Sequence, residues 1–399
     1  MSNGVTVIGG GMITHDQLLP ALYQLQRLGR IGPIQVCASQ FRTVEALRQS
    51  PTLAAAFPDQ TFTPRPDRPG EREPELFRTV LSQMAPGGLA VVAVPDHLHF
   101  DVTMAALKAA QHVLAVKPLV LQVKQAEQIE RTAFEAGLFV GIEYHKRLDD
   151  RSLMARRKYR EGLFGDFRLG TACLLEKWYY RTSNFQNWCT TENSDAFSYI
   201  GCHYVDLVHF ITGLLPASVS VYGIEDRYPN GNKGYLWTDA RVIWNNGACL
   251  NVQNAIGFPD LAPGTNTQGL TLYCQGTEGG AVLDHSDQYR GLKHSYTRQP
   301  DGPGSTVYAE PSPDYFQYVE YDGPGLRPVG YGYRSVESLV EAWQRVALAP
   351  TLEARQDQIR AIDSRGLLAT PANSRFNGQV LEAARASIQN RGEQVTIAA

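Results

Sequence analysis

Five short apolar runs constrain this chain more than anything else in it: VTVIGG (5–10), IQVCASQ (34–40), LAVVAVP (89–95), HVLAVKPLVL (112–121) and LFVGIEY (138–144). Runs of this length with little alternation suit strands buried on both faces, as in a parallel sheet. Between them lie helical patterns, THDQLLPALYQLQRLG, LFRTVLSQM, FDVTMAALKAAQ and QVKQAEQIERTAFEAG, and a Pro-rich polar stretch, FTPRPDRPGEREPE. The βα repetition predicts an α/β fold with an N-terminal doubly wound parallel sheet of the Rossmann type over residues 1–148.

From about residue 150 the pattern changes. FRLGTACLL, ASVSVYGI, DARVIWN, ACLNVQNAI and GLTLYCQG follow one another with turn signals such as NNG between several of them, which predicts a second, α+β domain on an antiparallel sheet. Helical patterns return at SVESLVEAWQRVAL and SRFNGQVLEAARASIQ, and these C-terminal helices are free to pack back on the first domain; otherwise 149–399 reads as one substrate-binding and oligomerisation domain. Residues 285–333, rich in Gly, Pro and Tyr, read as a long loop.

Composition narrows the partners. With a net charge of -3 and no long basic run, nucleic acid and anionic membrane surfaces are excluded as partners, and no apolar stretch has membrane-spanning length. Six scattered cysteines without a CxxC pair argue against a zinc ribbon and a disulfide framework, so no metal site is expected and a reducing cytoplasm fits. The opening MSNGVTVIGGG, with a strand starting at about Val5, leaves no room for a secretory leader.

Gly9 and Gly11 stand where the first strand ends and the first helix opens, with Met12 and Ile13 completing the turn. Glycines there allow a tight turn and bring a pyrophosphate close to helix N–H groups, the chemistry of dinucleotide binding. The third glycine position of G-x-G-x-x-G holds Thr14 instead. At the end of the second strand the usual ribose-binding acid is missing, and Ser39, Gln40 and Arg42 take its place; a hydroxyl and a guanidinium suit a 2′-phosphate, leaving NAD and NADP both open. Lys117 interrupts HVLAVKPLVL. A buried unpaired ammonium is costly, and Pro118 marks a strand end, so Lys117 belongs at the carboxyl edge of the sheet, where ligands bind.

Together the glycine turn, VPDHLH at 94–99, AALKAAQHVL, VKPL and GCHYVDLVHFITG, in that order, resemble the Gfo/Idh/MocA oxidoreductases. The resemblance implies a Rossmann domain, a C-terminal domain with a large open antiparallel sheet, homodimers or homotetramers, and hydride transfer between a nicotinamide cofactor and a secondary hydroxyl of a sugar, glycoside or cyclitol. It implies that Lys117 lies beside the reacting hydroxyl, that Pro95, Asp96 and His99 flank the cofactor, and that His145 in EYHKRLDD approaches nicotinamide and substrate. It departs from the family pattern at Val116, where a ribose-contacting glutamate is usual. His203 matches the catalytic histidine and Asp206 the downstream aspartate of D-x-x-x-H-x-x-D, with Tyr199 replacing the first aspartate.

His203 and Asp206, three apart at what reads as the start of an amphipathic helix, share a face. An imidazole, titrating near ~6.5, accepts a hydroxyl proton at neutral pH better than a phenol, near ~10. HKR in EYHKR also reads as a solvated charge cluster. EKWYYRTSNFQNW (176–188) mixes aromatic platforms with charges, which suits a saccharide pocket contacted by Tyr179 and Arg181 and equally suits an oligomer interface. Two other functions use the same residues: glycoside cleavage through transient oxidation, and non-catalytic sensing of dinucleotide and sugar.

Overall fold

A computed structural model describes residues 4–261, 266–276, 280–286, 294–297, 306–309 and 315–397. The chain forms two compact units, Met1–Leu148 with Gln317–Glu382, and Asp149–Phe316 with Ala383–Ala399.

The first unit is built on six parallel strands, β1 (Val5–Ile8), β2 (Ile34–Cys37), β3 (Thr63–Arg65), β4 (Leu89–Val92), β5 (His112–Val116) and β6 (Val140–Glu143), in the order β3-β2-β1-β4-β5-β6. Each apolar run expected to be a strand is one. Val7, Val36, Val91 and Leu114 have no exposed surface, because helices cover both sheet faces. The strand order reverses at β1, where β2 and β4 pair on either side in register at Val5. That reversal opens the crevice in which such sheets bind ligands.

β3 lies within the Pro-rich stretch that reads as irregular. It has three residues and sits at the sheet edge, where Pro64 lacks an N–H without cost to an inner ladder. The helix Tyr331–Ala347 belongs to this unit because its buried stripe, Val336, Leu339, Val340, Trp343 and Val346, joins the core of β1, β2 and β4. Residues 317–382 therefore pack with the Rossmann sheet rather than with 149–316.

The second unit carries a seven-stranded sheet in which β7 (Asp166–Lys177), β8 (Pro216–Arg227), β9 (Lys233–Trp244), β10 (Cys249–Phe258), β11 (Thr267–Gln275) and β12 (Gly280–Ser286) take the order β12-β11-β7-β10-β9-β8, closed by the strand Val395–Thr396. All pairs are antiparallel except β7 and β10, so the sheet is mixed where a purely antiparallel one is expected. Alternation along β9 buries Leu236, Ala240, Val242 and Trp244 on one face. On the other, Leu169, Tyr273 and Val282 are cross-strand neighbours, 48%, 47% and 57% exposed. The 285–333 region is not one loop: His294–Thr297 pairs with Thr306–Ala309, and Gln317–Val319 with Arg327–Val329. Residues 287–293, 298–305 and 310–314 lie outside those described.

Among the described residues no helix is long and apolar enough to cross a membrane. His112, at the start of β5, accepts the Phe139 N–H on Nδ1 at 2.9 Å, and burial pushes its pKa down to about 4 from 6.5. A histidine held neutral in the fold contributes nothing to pH dependence above its unfolded pKa and destabilises the fold as pH drops through the window between the two values. Chemical denaturation is expected to show about 3 kcal/mol of stability lost to this group between pH 6.5 and 4. In His112→Asn the loss over that window is expected to shrink by about that amount; equal losses in both proteins contradict the assignment.

Candidate active site

The turn after β1 is set by one close approach. Gly9 has φ +114°, and a Cβ on it would stand 2.0 Å from the Ala93 carbonyl oxygen just past β4. A Cβ on Gly11 meets no protein atom within 4 Å, so the outer side of the turn is open to a ligand. Thr14, fully buried, donates its hydroxyl to the Gly9 carbonyl at 2.8 Å and so satisfies a main-chain acceptor from the third glycine position. Pro20 has no N–H to continue a regular ladder, and Thr14–Leu18 run as a wider π turn before the helix Leu19–Arg27. Ile13 packs against the core at the helix start. An open glycine turn at a helix start fits a dinucleotide diphosphate, with Gly9, Gly11, Met12 and Ile13 as the residues that would hold it.

At the end of β2, Gln40 precedes the helix Phe41–Arg48 in extended conformation, and the exposed Arg42 donates Nε to Gln40 Oε1 at 2.5 Å. Two residues missed by sequence reading join them. Arg65 lies opposite Cys37 across β2 and β3, and the Glu73 N–H donates to the Ser39 carbonyl at 2.8 Å. Burial first, then the Glu73 charge, pushes the Cys37 thiol up to about 12, with Arg65 opposing.

After β4, Pro95 leads into a short turn in which Asp96 is buried. His99 has both ring nitrogens engaged by the fold. Its fully buried ring lies between the Pro118 carbonyl, 2.6 Å from Nδ1, and the Val94 carbonyl, 2.8 Å from Nε2. A neutral imidazole donates to one of these and an imidazolium to both, so the ring ties the loops after β4 and β5 together.

Val116 ends β5 half-buried against the core, and Lys117 follows it, partly exposed and joined to Pro118 by a cis peptide. Val116 pairs in register with Glu143 of β6. Glu143 is 2% exposed; its Oε1 accepts from Gln17 Nε2 at 2.9 Å, and its Oε2 lies 3.0 Å from His145 Nδ1. The His145 ring packs on Tyr331 at 5.5 Å between centroids. HKR is not a solvated cluster. Lys146 is buried with its ammonium 6.0 Å from the Tyr331 ring centre, and the buried Arg147 donates to Asn373 and Ser374 at 3.3 and 3.2 Å.

In the second unit a π turn, Phe197–Gly201, leads into the helix Cys202–Thr212. This helix is not amphipathic. His203 and Asp206, 5% and 1% exposed, stand among buried residues on nearly every side. Tyr199, half-buried, packs edge-on against Phe185 and Trp188 at 4.8 and 5.6 Å.

Arg181 is a structural cation rather than an exposed sugar contact. It is 2% exposed, donates to Asp226 and to the Ile256 carbonyl, each at 2.6 Å, and lies 4.1 Å over Trp178. Its hydrogen bond holds the Asp226 carboxyl below the usual range. Lys177 donates to the carbonyls of Pro259 and Asp260 at 3.0 and 3.1 Å. Tyr179 remains exposed, beside Tyr180. Among the described residues no group of His, Cys, Asp and Glu is arranged to hold a metal ion.

Residues 4–144 match the model of an oxidoreductase family with an NAD-binding Rossmann fold, Gfo/Idh/MocA. The chain is 24% identical to levoglucosan dehydrogenase of Pseudarthrobacter phenanthrenivorans over 63% of its own length and 68% of that protein. It is 23% identical to D-glucoside 3-dehydrogenase of Escherichia coli over 54% of its length, spanning 56% of that relative. A third relative, an NADP-dependent scyllo-inositol 2-dehydrogenase of Bacillus subtilis, is 31% identical over 20% of this chain and 22% of its own length. In fold, the chain is similar to scyllo-inositol dehydrogenase of Lactobacillus casei, solved with NAD(H) and scyllo-inositol, with TM-score 0.64, 13% identity and 100% of both chains covered. Myo-inositol 2-dehydrogenase of Lactobacillus plantarum gives TM-score 0.65 at 14% identity, again with 100% of both chains covered.

The two glycines separate fold from ligand contact. Gly9→Ala is expected to cost at least about 2 kcal/mol, from a forbidden φ and a backbone clash, read as a lowered thermal midpoint. Gly11→Ala is expected to keep the parent midpoint and to weaken dinucleotide binding in calorimetry. A Gly11→Ala protein that binds as the parent does removes Gly11 from the site.

Proposed function

We infer from the membership of residues 4–144 in the Gfo/Idh/MocA oxidoreductase family that the chain is an NAD(P)-dependent dehydrogenase acting on a secondary hydroxyl of a cyclic polyol, that is, a sugar, glycoside or cyclitol. The observation that carries this reading is the carboxyl edge of the first sheet, where the glycine turn, open on its ligand side, and Lys117 both stand. The names of the relatives, which act on levoglucosan, D-glucosides and scyllo-inositol, support the substrate class.

Bound nicotinamide supplies the hydride acceptor. The turn at Gly9, Gly11, Met12 and Ile13 holds the diphosphate, and Ser39, Gln40 and Arg42 the adenosine ribose. Arg42 and Ser39 suit a 2′-phosphate and Glu73 a free 2′-hydroxyl, so both cofactors fit this edge. An imidazole nitrogen of His203 accepts the proton of the reacting hydroxyl as the hydride leaves its carbon. By the family resemblance Lys117 lies beside the reacting hydroxyl, where an ammonium stabilises the negative charge that grows on the oxygen. Tyr199 relays a hydrogen bond, and Tyr179 offers an aromatic face to the ring. The six cysteines are all free thiols, which supports a cytoplasmic location. The exposed apolar row Leu169, Tyr273 and Val282 supports pairing of sheets in a homodimer or homotetramer.

Reduced nicotinamide is expected to appear when NAD or NADP is mixed with the protein and levoglucosan, methyl β-D-glucoside or scyllo-inositol. Lys117→Ala and His203→Ala should each lower turnover about 10²- to 10⁴-fold with dinucleotide affinity nearly intact. Full turnover in Lys117→Ala makes the lysine structural. Light scattering is expected to give two or four times the 44.1 kDa chain mass; a monomer at micromolar concentration contradicts the pairing.

A further inference from the structure

One face of the sheet in the second unit is packed and the other is exposed, and the pairing register fixes what the exposed face carries. A row of neighbours crosses it through Val282 of β12, Tyr273 of β11, Leu169 of β7, Cys249 of β10 and Ile243 of β9. Every member is apolar, and Val282, Tyr273 and Leu169 are exposed. Two residues further along the strands, the next row reads Asp284, Thr271, Thr171, Asn251 and Arg241. It is polar throughout, with an exposed acid at one end and an exposed base at the other. β7 is the middle strand of these five, so Asp284 and Arg241 stand two strands from it on opposite sides.

A second copy of the same face can close it, and the charges choose how. Two identical sheets face each other either about a two-fold axis along the strands or about one across them. An axis along β7 exchanges the two ends of each row, so that Asp284 meets the partner's Arg241 and Arg241 meets the partner's Asp284. Leu169 and Thr171 fall on that axis and meet their own copies. An axis across the strands keeps each strand opposite itself. Asp284 then faces β12 of the partner, a strand without Lys or Arg, and Arg241 finds its acid in the partner's Asp239 on β9. Aligned sheets cross at about 30°, which displaces residues two strands from the axis by about 5 Å along the strand, within the reach of an arginine side chain. At about 4.8 Å between strands and about 3.3 Å per residue, the five strands present about 800 Å² to a partner, the area that one side of a stable interface covers. We propose that this chain dimerises through the open face of the second unit's sheet about a two-fold axis along β7, with Asp284 of each copy paired to the partner's Arg241. The proposal rests on the pairing of sheets inferred above and adds the axis, which the apolar row alone leaves open.

Like charges brought face to face weaken an interface, and about a two-fold axis each substitution acts twice. Arg241→Asp and Asp284→Arg should each raise the dissociation constant at least about 100-fold, read in light scattering at micromolar concentration as half the parent's mass. An equimolar mixture of the two variants should return to the parent's mass, because both contacts then join opposite charges, and the double variant should do the same. Both side chains are exposed, so the thermal midpoints should stay at the parent's. Should either variant fail to fold, Arg241→Glu and Asp284→Lys carry the same charges. Loss of mass in only one of the two, as an axis across the strands gives for Arg241→Asp, overturns the proposal. Parent mass in both variants means that the open face takes another occupant and also overturns it, as does a mixture that stays dissociated. A parent that is itself a monomer overturns the sheet-pairing reading as well, whereas the other three outcomes overturn this proposal alone.

Discussion

At Gly9 the main chain leaving β1 comes so close to the end of β4 that no side chain fits between them. Because β1 and β4 are the strands at which the sheet order reverses, this contact sets how narrow the crevice at their carboxyl ends is. The helix that follows must then start immediately, and its first turn is held by Thr14 bonding back to Gly9. The open side at Gly11 is a consequence of the same geometry: with one face of the turn packed on β4, the other is left to a ligand.

Polar groups at such an edge face a conflict between binding a ligand and satisfying the fold. The first unit resolves it by giving most of them internal partners. His99 spans two loop carbonyls, Arg147 is taken by Asn373 and Ser374, and Glu143 by Gln17 and His145. Residues so engaged hold the edge rigid, and rigidity is what lets its exposed members act at a fixed place. Arg181 shows the same economy in the second unit, where Asp226, a carbonyl and two indole rings absorb the guanidinium.

Legibility in the sequence followed how local each signal is. The five apolar runs announced their strands, since burial on both faces leaves its mark within each run. β3 left none, being three residues long with a proline in the middle. The helix at His203 has hydrophobic spacing compatible with one buried face, and only the surrounding unit shows that nearly all faces are covered. The roles of Arg181, His99 and Glu143 depend on partners 45, 19 and 126 residues away, and no spacing rule reaches that far. An isolated cation among aromatics looks the same in a sugar pocket and in a packed wall until its counter-ion is located.

The two departures from the expected motifs, Thr14 and Val116, carry a related lesson. Thr14 takes the place of a glycine whose task is close packing, and its hydroxyl reaches a carbonyl that a glycine leaves to other donors. Val116 takes the place of an acid, and a valine has no way to restore a charge. It joins the core instead, and an acid stands beside it in Glu143, its register neighbour on the next strand. A motif is read along one strand, whereas a sheet edge is built across several, with neighbouring strands placing side chains on the same face about 4.8 Å apart. A missing motif residue therefore says which position is empty of charge, and only the pairing register says whether the edge is.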